Sequence, residues 1–237
     1  MKVAIIRFPG TNCDLDAYHV LKNVLHLPSD LIWHEEVDLR KYDGVILPGG
    51  FSYGDHLRAG IIAAHSPAMT QVKKAAEEGK PILGICNGFQ ILAESELLPG
   101  ALLRNAGLRF VCKWVNLRVD STSTFFTSGL KKGTLLRMPI AHGEGRYFLN
   151  ESEIKNLERK GQIVFRYVDG EGNTTENSNP NGSLFNIAGV SNEKGNVVGL
   201  MPHPERASEK ILSPFGSSDG LAVLGAFAKT VEVMARK

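Results

Sequence analysis

The run Pro81-Ile82-Leu83-Gly84-Ile85-Cys86-Asn87-Gly88-Phe89-Gln90 constrains this chain more than any other stretch. A short apolar segment, suited in length and composition to a buried strand, breaks at a cysteine and passes directly into a helical pattern. Gly84 and Gly88 stand two residues either side of Cys86, where missing side chains let a strand turn sharply into a helix with the middle residue strained. The thiol is then presented above a sheet edge. There the free N–H groups and dipole of a helix N-terminus favour a thiolate and can hold an oxyanion. A free cysteine is more often an inert packing group, so a second stretch has to decide.

That stretch is Met201-Pro202-His203-Pro204-Glu205-Arg206. Residues two apart in an extended segment project to the same side, and the prolines favour extension. His203 and Glu205 are therefore expected to share a face, a base beside its orienting carboxylate. The apolar run Asn196-Val197-Val198-Gly199-Leu200 leads straight into them, so nucleophile and base both fall at strand ends.

Around these two stretches apolar runs alternate with helical patterns. Val3 to Phe8 reads as a strand buried on both faces, followed by a helix that Thr11 or Asn12 caps, with Ala17, Val20, Leu21, Val24 and Leu25 at helical spacing. Strands are expected at Leu31–Trp33 and Gly44–Leu47, and the latter runs into the glycine-dense turn Pro48-Gly49-Gly50-Phe51-Ser52-Tyr53-Gly54-Asp55. Helix follows from Arg58 to Glu78, interrupted near Pro67. Beyond Ser95 the pattern shifts to longer, half-exposed strands at Arg109–Val119 and Thr134–Pro139, then a helix at Glu151–Lys160 and a strand at Ile163–Val168. Asp169 to Ser183 is almost devoid of apolar residues and reads as a mobile surface insertion. Asp219 is the expected cap of a closing helix with Leu221, Leu224, Ala228, Val231 and Ala235 on one face. The expected architecture is α/β: a doubly wound, mostly parallel central sheet flanked by helices, with a small antiparallel excursion and the site above the strand C-terminal ends.

Composition narrows the functional classes. At 237 residues, 43% hydrophobic and 22% charged, the chain suits one domain spanning residues 1–237. A net charge of +2 and the lack of a basic run interleaved with aromatics argue against a nucleic-acid partner. No apolar run approaches membrane-spanning length, and the N-terminal apolar core is too short for a signal peptide, so no membrane partner and a cytoplasmic location are expected. Three cysteines without a CxxC pair argue against a disulfide scaffold or structural zinc. Cys13 and Cys112 are assigned to packing. A metal site from Cys86, His203 and His142 is conceivable, but the same residues serve better as acid-base groups, and no metal is expected.

Cys86, His203 and Glu205, in that order on an α/β background, resemble the class I (triad) glutamine amidotransferases. The likeness extends to Pro48–Asp55, to Cys86-Asn87-Gly88-Phe89-Gln90, to Ala141-His142-Gly143-Glu144-Gly145-Arg146 and to Met201–Arg206. It implies an enzyme in which Cys86 attacks the side-chain amide of L-glutamine, His203 carries the protons and Glu205 orients the ring, with a thioester intermediate and release of ammonia. It also implies an oxyanion hole from backbone N–H groups at Gly50 or Phe51 and at Asn87, and contact of Gln90 with glutamine. His142, Glu144 and Arg146 are placed at either the glutamine pocket or a partner interface. The branch it most resembles feeds ammonia to a separate synthetase subunit acting on formylglycinamide ribonucleotide in purine biosynthesis, with a small accessory subunit. ATP and magnesium then belong to the synthetase and this chain carries no cofactor, in keeping with its lack of a GxxxxGK[ST] loop. The alternatives are a glutaminase subunit of another amidotransferase pathway and, less favoured because the His-Pro-Glu pair is present, a peptidase or deglycase of the same fold.

Overall fold

In the computed structural model, which describes residues 1–236, the apolar runs of the first third become parallel strands joined through helices. In chain order these are β1 (Val3–Arg7), α1 (Asp14–His19), β2 (Ser29–Trp33), β3 (Gly44–Leu47), α2 (Ile61–Ala64), α3 (Pro67–Glu77), β4 (Ile82–Ile85) and α4 (Asn87–Glu94). The remainder comprises β5 (Ala101–Arg104), β6 (Val111–Val119), β7 (Leu135–His142), β8 (Glu144–Phe148), α5 (Glu151–Arg159), β9 (Ile163–Val168), β10 (Ile187–Ser191), β11 (Val197–Leu200) and α6 (Gly220–Met234).

Nine strands form one sheet in the order β2-β1-β3-β4-β11-β10-β9-β6-β7, and β5 pairs with β8 apart from it. The pairs from β2 to β11 are parallel, and those from β11 to β7 are antiparallel. The parallel strands β3, β4 and β11 have every residue buried, as strands covered on both faces must. Their C-terminal ends lie side by side, because Leu47 pairs with Gly84 and Gly84 with Gly199. The loops carrying Gly49, Cys86 and His203 therefore leave the sheet at one rim.

Several local expectations are corrected. Neither Thr11 nor Asn12 caps α1: the Thr11 hydroxyl accepts the Phe8 N–H at 3.0 Å, and Cys13 holds the cap position without a side-chain bond. The expected interruption at Pro67 does occur, because Pro67 opens a new first turn, where its missing N–H has no acceptor to lose. Asp219 holds the cap position of α6 as expected but makes no side-chain bond to the helix; its carboxylate accepts the Arg137 N–H at 2.8 Å and ties the helix to β7. The buried face of α6 centres on Val223, Leu224, Phe227 and Val231, with Phe227 stacked on Phe126 at 5.6 Å, and Ala235 is exposed. Among the described residues no helix is long and apolar enough to cross a membrane.

Candidate active site

The strained residue at the elbow is the cysteine itself. Cys86 has φ 51° and ψ −104°, a region that costs a non-glycine residue about 1–3 kcal/mol. Packing on both sides holds it there: its N–H donates to the Leu200 carbonyl at 2.8 Å, and its carbonyl receives the Gln90 N–H at 3.1 Å. The flanking glycines supply room more than flexibility. A Cβ on Gly88 would lie 1.9 Å from the Leu47 carbonyl oxygen, and one on Gly84 would lie 2.5 Å from Leu92 Cδ1 and 2.7 Å from the Gly88 backbone. Helix α4 thus sits directly on the ends of β3 and β4, with its N-terminal donors beside the sulfur.

His203 and Glu205 meet as expected, by a different local geometry. His203 is extended, but Pro204–Ala207 forms a 3₁₀ turn, so the two side chains converge across a turn and not along a straight strand. The His203 Nδ1–H donates to Glu205 Oε1 at 2.6 Å, and both residues are buried. Burial alone would push the imidazole pKa down. The Glu205 carboxylate and the nearby Cys86 sulfur outweigh that and hold it well above its ordinary value. Nε2 has no partner in hydrogen-bond geometry, while the Cys86 thiol points to the Ala141 carbonyl at 3.7 Å. Cys86 and His203 line the same cavity and the sulfur acts on the charge of the ring; a catalytic hydrogen bond left unmade before substrate binds is usual.

Cys86 and His203 open into a cavity of about 130 Å³, whose walls include Gly50, Phe51, Cys13 and Arg206. The rings of Phe51 and Phe110, 6.3 Å apart, flank it. Of the two oxyanion candidates in this loop, Phe51 is set aside, because its N–H is engaged with the Gly10 carbonyl at 3.0 Å. Gly50 remains, at φ +149°, and a Cβ there would lie 2.8 Å from the Asn12 nitrogen. Asn87, the other expected donor, is the first residue of α4, where its N–H has no acceptor within the helix.

The other predicted residues fall behind this cavity. Asn87 Oδ1 accepts the Ser52 N–H at 3.2 Å, Asn87 Nδ2 donates to Gln90 Oε1 at 2.9 Å, and Gln90 Nε2 donates to the Glu144 carbonyl at 2.5 Å. Gln90 therefore fastens the elbow helix to β8. Glu144 accepts the Ala59 N–H at 3.1 Å, and its charge together with burial raises Asp55 to about 6, burial contributing more. His142 is buried, its Nδ1 is 3.1 Å from Asn105 Oδ1, and burial chiefly, with His203 nearby, lowers its pKa to about 4. Arg146 is half-buried beside Gly182, away from the cavity wall.

The insertion at 169–183, expected to be mobile, is stitched by its own polar side chains. Asp169 Oδ1 accepts the N–H groups of Glu171 and Asn173 at 2.9 Å each. Asn181 Nδ2 and Ser183 Oγ both donate to the Gly145 carbonyl, at 2.8 and 3.2 Å, and Ser183 Oγ accepts the Tyr147 N–H at 3.0 Å. Nothing in the sequence marks Asn105, Asn181 or Ser183, because an asparagine or serine in a polar run looks like any turn residue. Cys13 was assigned to packing, yet it lines the cavity, and its position just after β1 was the available signal.

Residues 1–225 match the CobB/CobQ-like glutamine amidotransferase domain. The chain is 58% identical over 224 residues, 94% of each chain, to the phosphoribosylformylglycinamidine synthase subunit PurQ of Thermomicrobium roseum. It is 56% identical to the subunit of the same name from Aquifex aeolicus, covering 93% of this chain and 96% of that one. In the PurLQS structure from Thermotoga maritima, the matching chain is 44% identical with a TM-score of 0.83, over 96% of this chain and 97% of that one.

Proposed function

The chain belongs to the CobB/CobQ-like glutamine amidotransferase family, and from that premise we propose that it is the glutaminase subunit of a phosphoribosylformylglycinamidine synthase. Relatives of that name match it at 56–58% identity over nearly their whole length. The observation that carries the reading is the His203–Glu205 pair at 2.6 Å, lining one cavity at the sheet rim with the strained Cys86.

Cys86 attacks the side-chain carbonyl carbon of L-glutamine as the thiolate of a thiolate–imidazolium pair. The oxygen that gains charge is held by the N–H groups of Gly50 and Asn87, each such donor worth about 3 kcal/mol in the transition state. The His203 imidazolium gives its Nε2 proton to the leaving nitrogen, the C–N bond breaks, and ammonia departs from a γ-glutamyl thioester on Cys86. Neutral His203 then takes a proton from water as that water attacks the thioester, releasing glutamate and restoring the ion pair. Glu205 keeps Nδ1 protonated and stabilises the charged ring in both half-reactions.

In this reading ammonia passes to a synthetase subunit that uses ATP and magnesium to convert formylglycinamide ribonucleotide to formylglycinamidine ribonucleotide, and a small accessory subunit completes the assembly. This chain brings no cofactor of its own and works as one cytoplasmic domain. Gln90, Glu144 and His142 brace the pocket from behind. The test is Cys86→Ala in the complex purified with its synthetase. Glutamine-dependent amidine formation should fall at least about 10³-fold while ammonia-dependent formation persists; loss of both, or retention of the first, overturns the assignment.

A further inference from the structure

Cys13 follows β1, belongs to none of the motifs above and is buried, yet its sulfur lies beside the catalytic ring. The backbone of Cys13 is anchored by its N–H to the Gly49 carbonyl at 3.1 Å. Its sulfur accepts Arg206 Nη2–H at 3.2 Å, and its thiol faces Asn12 Oδ1 at 3.3 Å. Arg206 is held in turn by Asp16, Nε to Oδ2 at 3.1 Å. The Cys13 sulfur, a ring nitrogen of His203 and a carboxylate oxygen of Glu205 all lie within 4.8 Å of one another. Gly49 closes the arrangement, since a Cβ there would sit 2.8 Å from His203 Cε1 and 3.1 Å from the Cys13 sulfur.

A ring held through one nitrogen can still pivot about that bond. The Nδ1 bond to Glu205 fixes one corner of the imidazole, and the nucleophile needs the opposite corner in line to well within 1 Å. A second contact on the ring edge is required, and Gly49 lies against Cε1 with the Cys13 sulfur beside it. We infer that Cys13 is a positioning residue for His203: its sulfur, oriented by Arg206, holds the Cε1 edge of the imidazole against Gly49 so that Nε2 faces Cys86. A polarisable sulfur also suits this place chemically, because the C–H between the two nitrogens becomes the most positive carbon edge once the ring is an imidazolium. Glu205, Cys86 and Cys13 favour the charged form of the ring and burial opposes it, while Arg206 shares the cavity wall and His142, its own pKa lowered to about 4, is neutral where the ring titrates.

The inference rests on the glutaminase reading for its kinetic consequence but not for its structural one, and two measurements separate them. Wild type, Cys13→Ser and Cys13→Ala are assayed for glutaminase activity in the assembled complex across pH. Separately, the ring nitrogens of His203 are titrated by ¹⁵N NMR in the isolated chain. Cys13→Ala should lower kcat about 10- to 100-fold with KM within about twofold, and should move the alkaline limb of kcat/KM to lower pH. The imidazolium signal should titrate at correspondingly lower pH, with Cys13→Ser between the two. A Cys13→Ala variant with wild-type kcat, or a ring that titrates as in wild type despite lower activity, overturns the inference by leaving Cys13 a packing residue. If the alanine variant does not fold, the serine variant decides, and its identity with wild type in both readouts has the same meaning. A wild-type complex without glutaminase activity would sink the glutaminase reading instead, while the titration still decides on Cys13.

Discussion

The parallel and antiparallel halves of the sheet hold the site by different physics. On the parallel side, β3, β4 and β11 end at one rim, and the reacting groups follow within a few residues of each end. Close packing fixes their positions there, with Gly88 against the Leu47 carbonyl and Cys86 bonded to the Leu200 carbonyl. Beyond the antiparallel side, the chain passes from β7 almost directly into β8 at Glu144 and Gly145, and β8 pairs with β5 outside the nine-stranded sheet. That junction is held by side-chain amides and hydroxyls brought from far along the chain: Asn105, Asn181, Ser183 and Gln90. The comparison teaches that the nucleophile is placed by steric exclusion and the wall behind it by hydrogen bonds. The first should fail abruptly when altered, and the second by degrees.

The abrupt case is Gly88→Ala. A methyl 1.9 Å from a backbone oxygen has no flexible neighbour to displace, so α4 must lift off β3. Overpacking of this kind against main chain is expected to cost about 3 kcal/mol or more. Because Asn87, the proposed oxyanion donor, and the strained Cys86 ride on the same turn, glutaminase activity should fall by at least about 100-fold even in the fraction that folds. Urea denaturation and single-turnover thioester formation measure the two effects. A variant with wild-type midpoint and rate would show that the parallel half tolerates movement after all, and the contrast between the halves would be lost.

A graded failure on the other side can be driven by pH through His142. Its pKa in the fold is about 4, against the ordinary value of 6.5, because burial and the neighbouring His203 disfavour the charged ring. The unfolded chain therefore binds more protons at this residue between pH 6.5 and 4. Stability that is complete above about pH 6.5 is lost progressively as pH falls toward 4. The loss attributable to this one group is about 3 kcal/mol. His142→Asn keeps a donor toward Asn105 Oδ1 without a titrating ring. Chemical denaturation from pH 7 to 4 should give a shallower decline for that variant than for wild type, since the other titrating groups, Asp55 among them, are common to both. Parallel declines would place the pH sensitivity elsewhere and remove His142 from the bracing network.

The same division explains what could be read from the chain beforehand. The elbow and the His-Pro-Glu stretch are local: the residues concerned and those that place them lie within a few positions, so the strand and the strained turn were legible around Cys86, and the pairing of His203 with Glu205 was too. Even there the turn at Pro204–Ala207 was misread, since two flanking prolines suit an extended segment and a 3₁₀ turn equally well. The polar run at 169–183 was read as mobile because it lacks apolar residues. Its local bonds, such as those of Asp169, are those of an ordinary turn, and the bonds that tie it to the fold reach Gly145 and Tyr147, more than twenty residues upstream, which no local pattern encodes. Cys13 was missed for a related reason. A thiol after the first strand gains meaning only when the sheet order sets β1 beside β3 and brings Gly49 and His203 against it.

The smallest expected effect tests the antiparallel wall directly, at Asn181. Replacing it with alanine removes the amide bond to the Gly145 carbonyl and the Oδ1 acceptor of the Ser183 N–H at 3.1 Å. The backbone bond from the Ala106 N–H to the Asn181 carbonyl does not depend on the side chain, and Ser183 Oγ still reaches Gly145. Two buried bonds lost with one acceptor still served should lower stability by about 1–2 kcal/mol. Hydrogen exchange at the Tyr147 amide, which donates to Ser183 Oγ, should quicken before any change at the Cys86 amide. Because no reacting group touches Asn181, kcat should stay within about threefold of wild type. A larger loss of activity at unchanged stability would mean that the segment from Ala141 to Arg146 acts on the substrate and not as a brace. Equal quickening at Tyr147 and Cys86 would mean that the two halves open as one unit, and the distinction between packing and hydrogen bonding would not describe how this site is held.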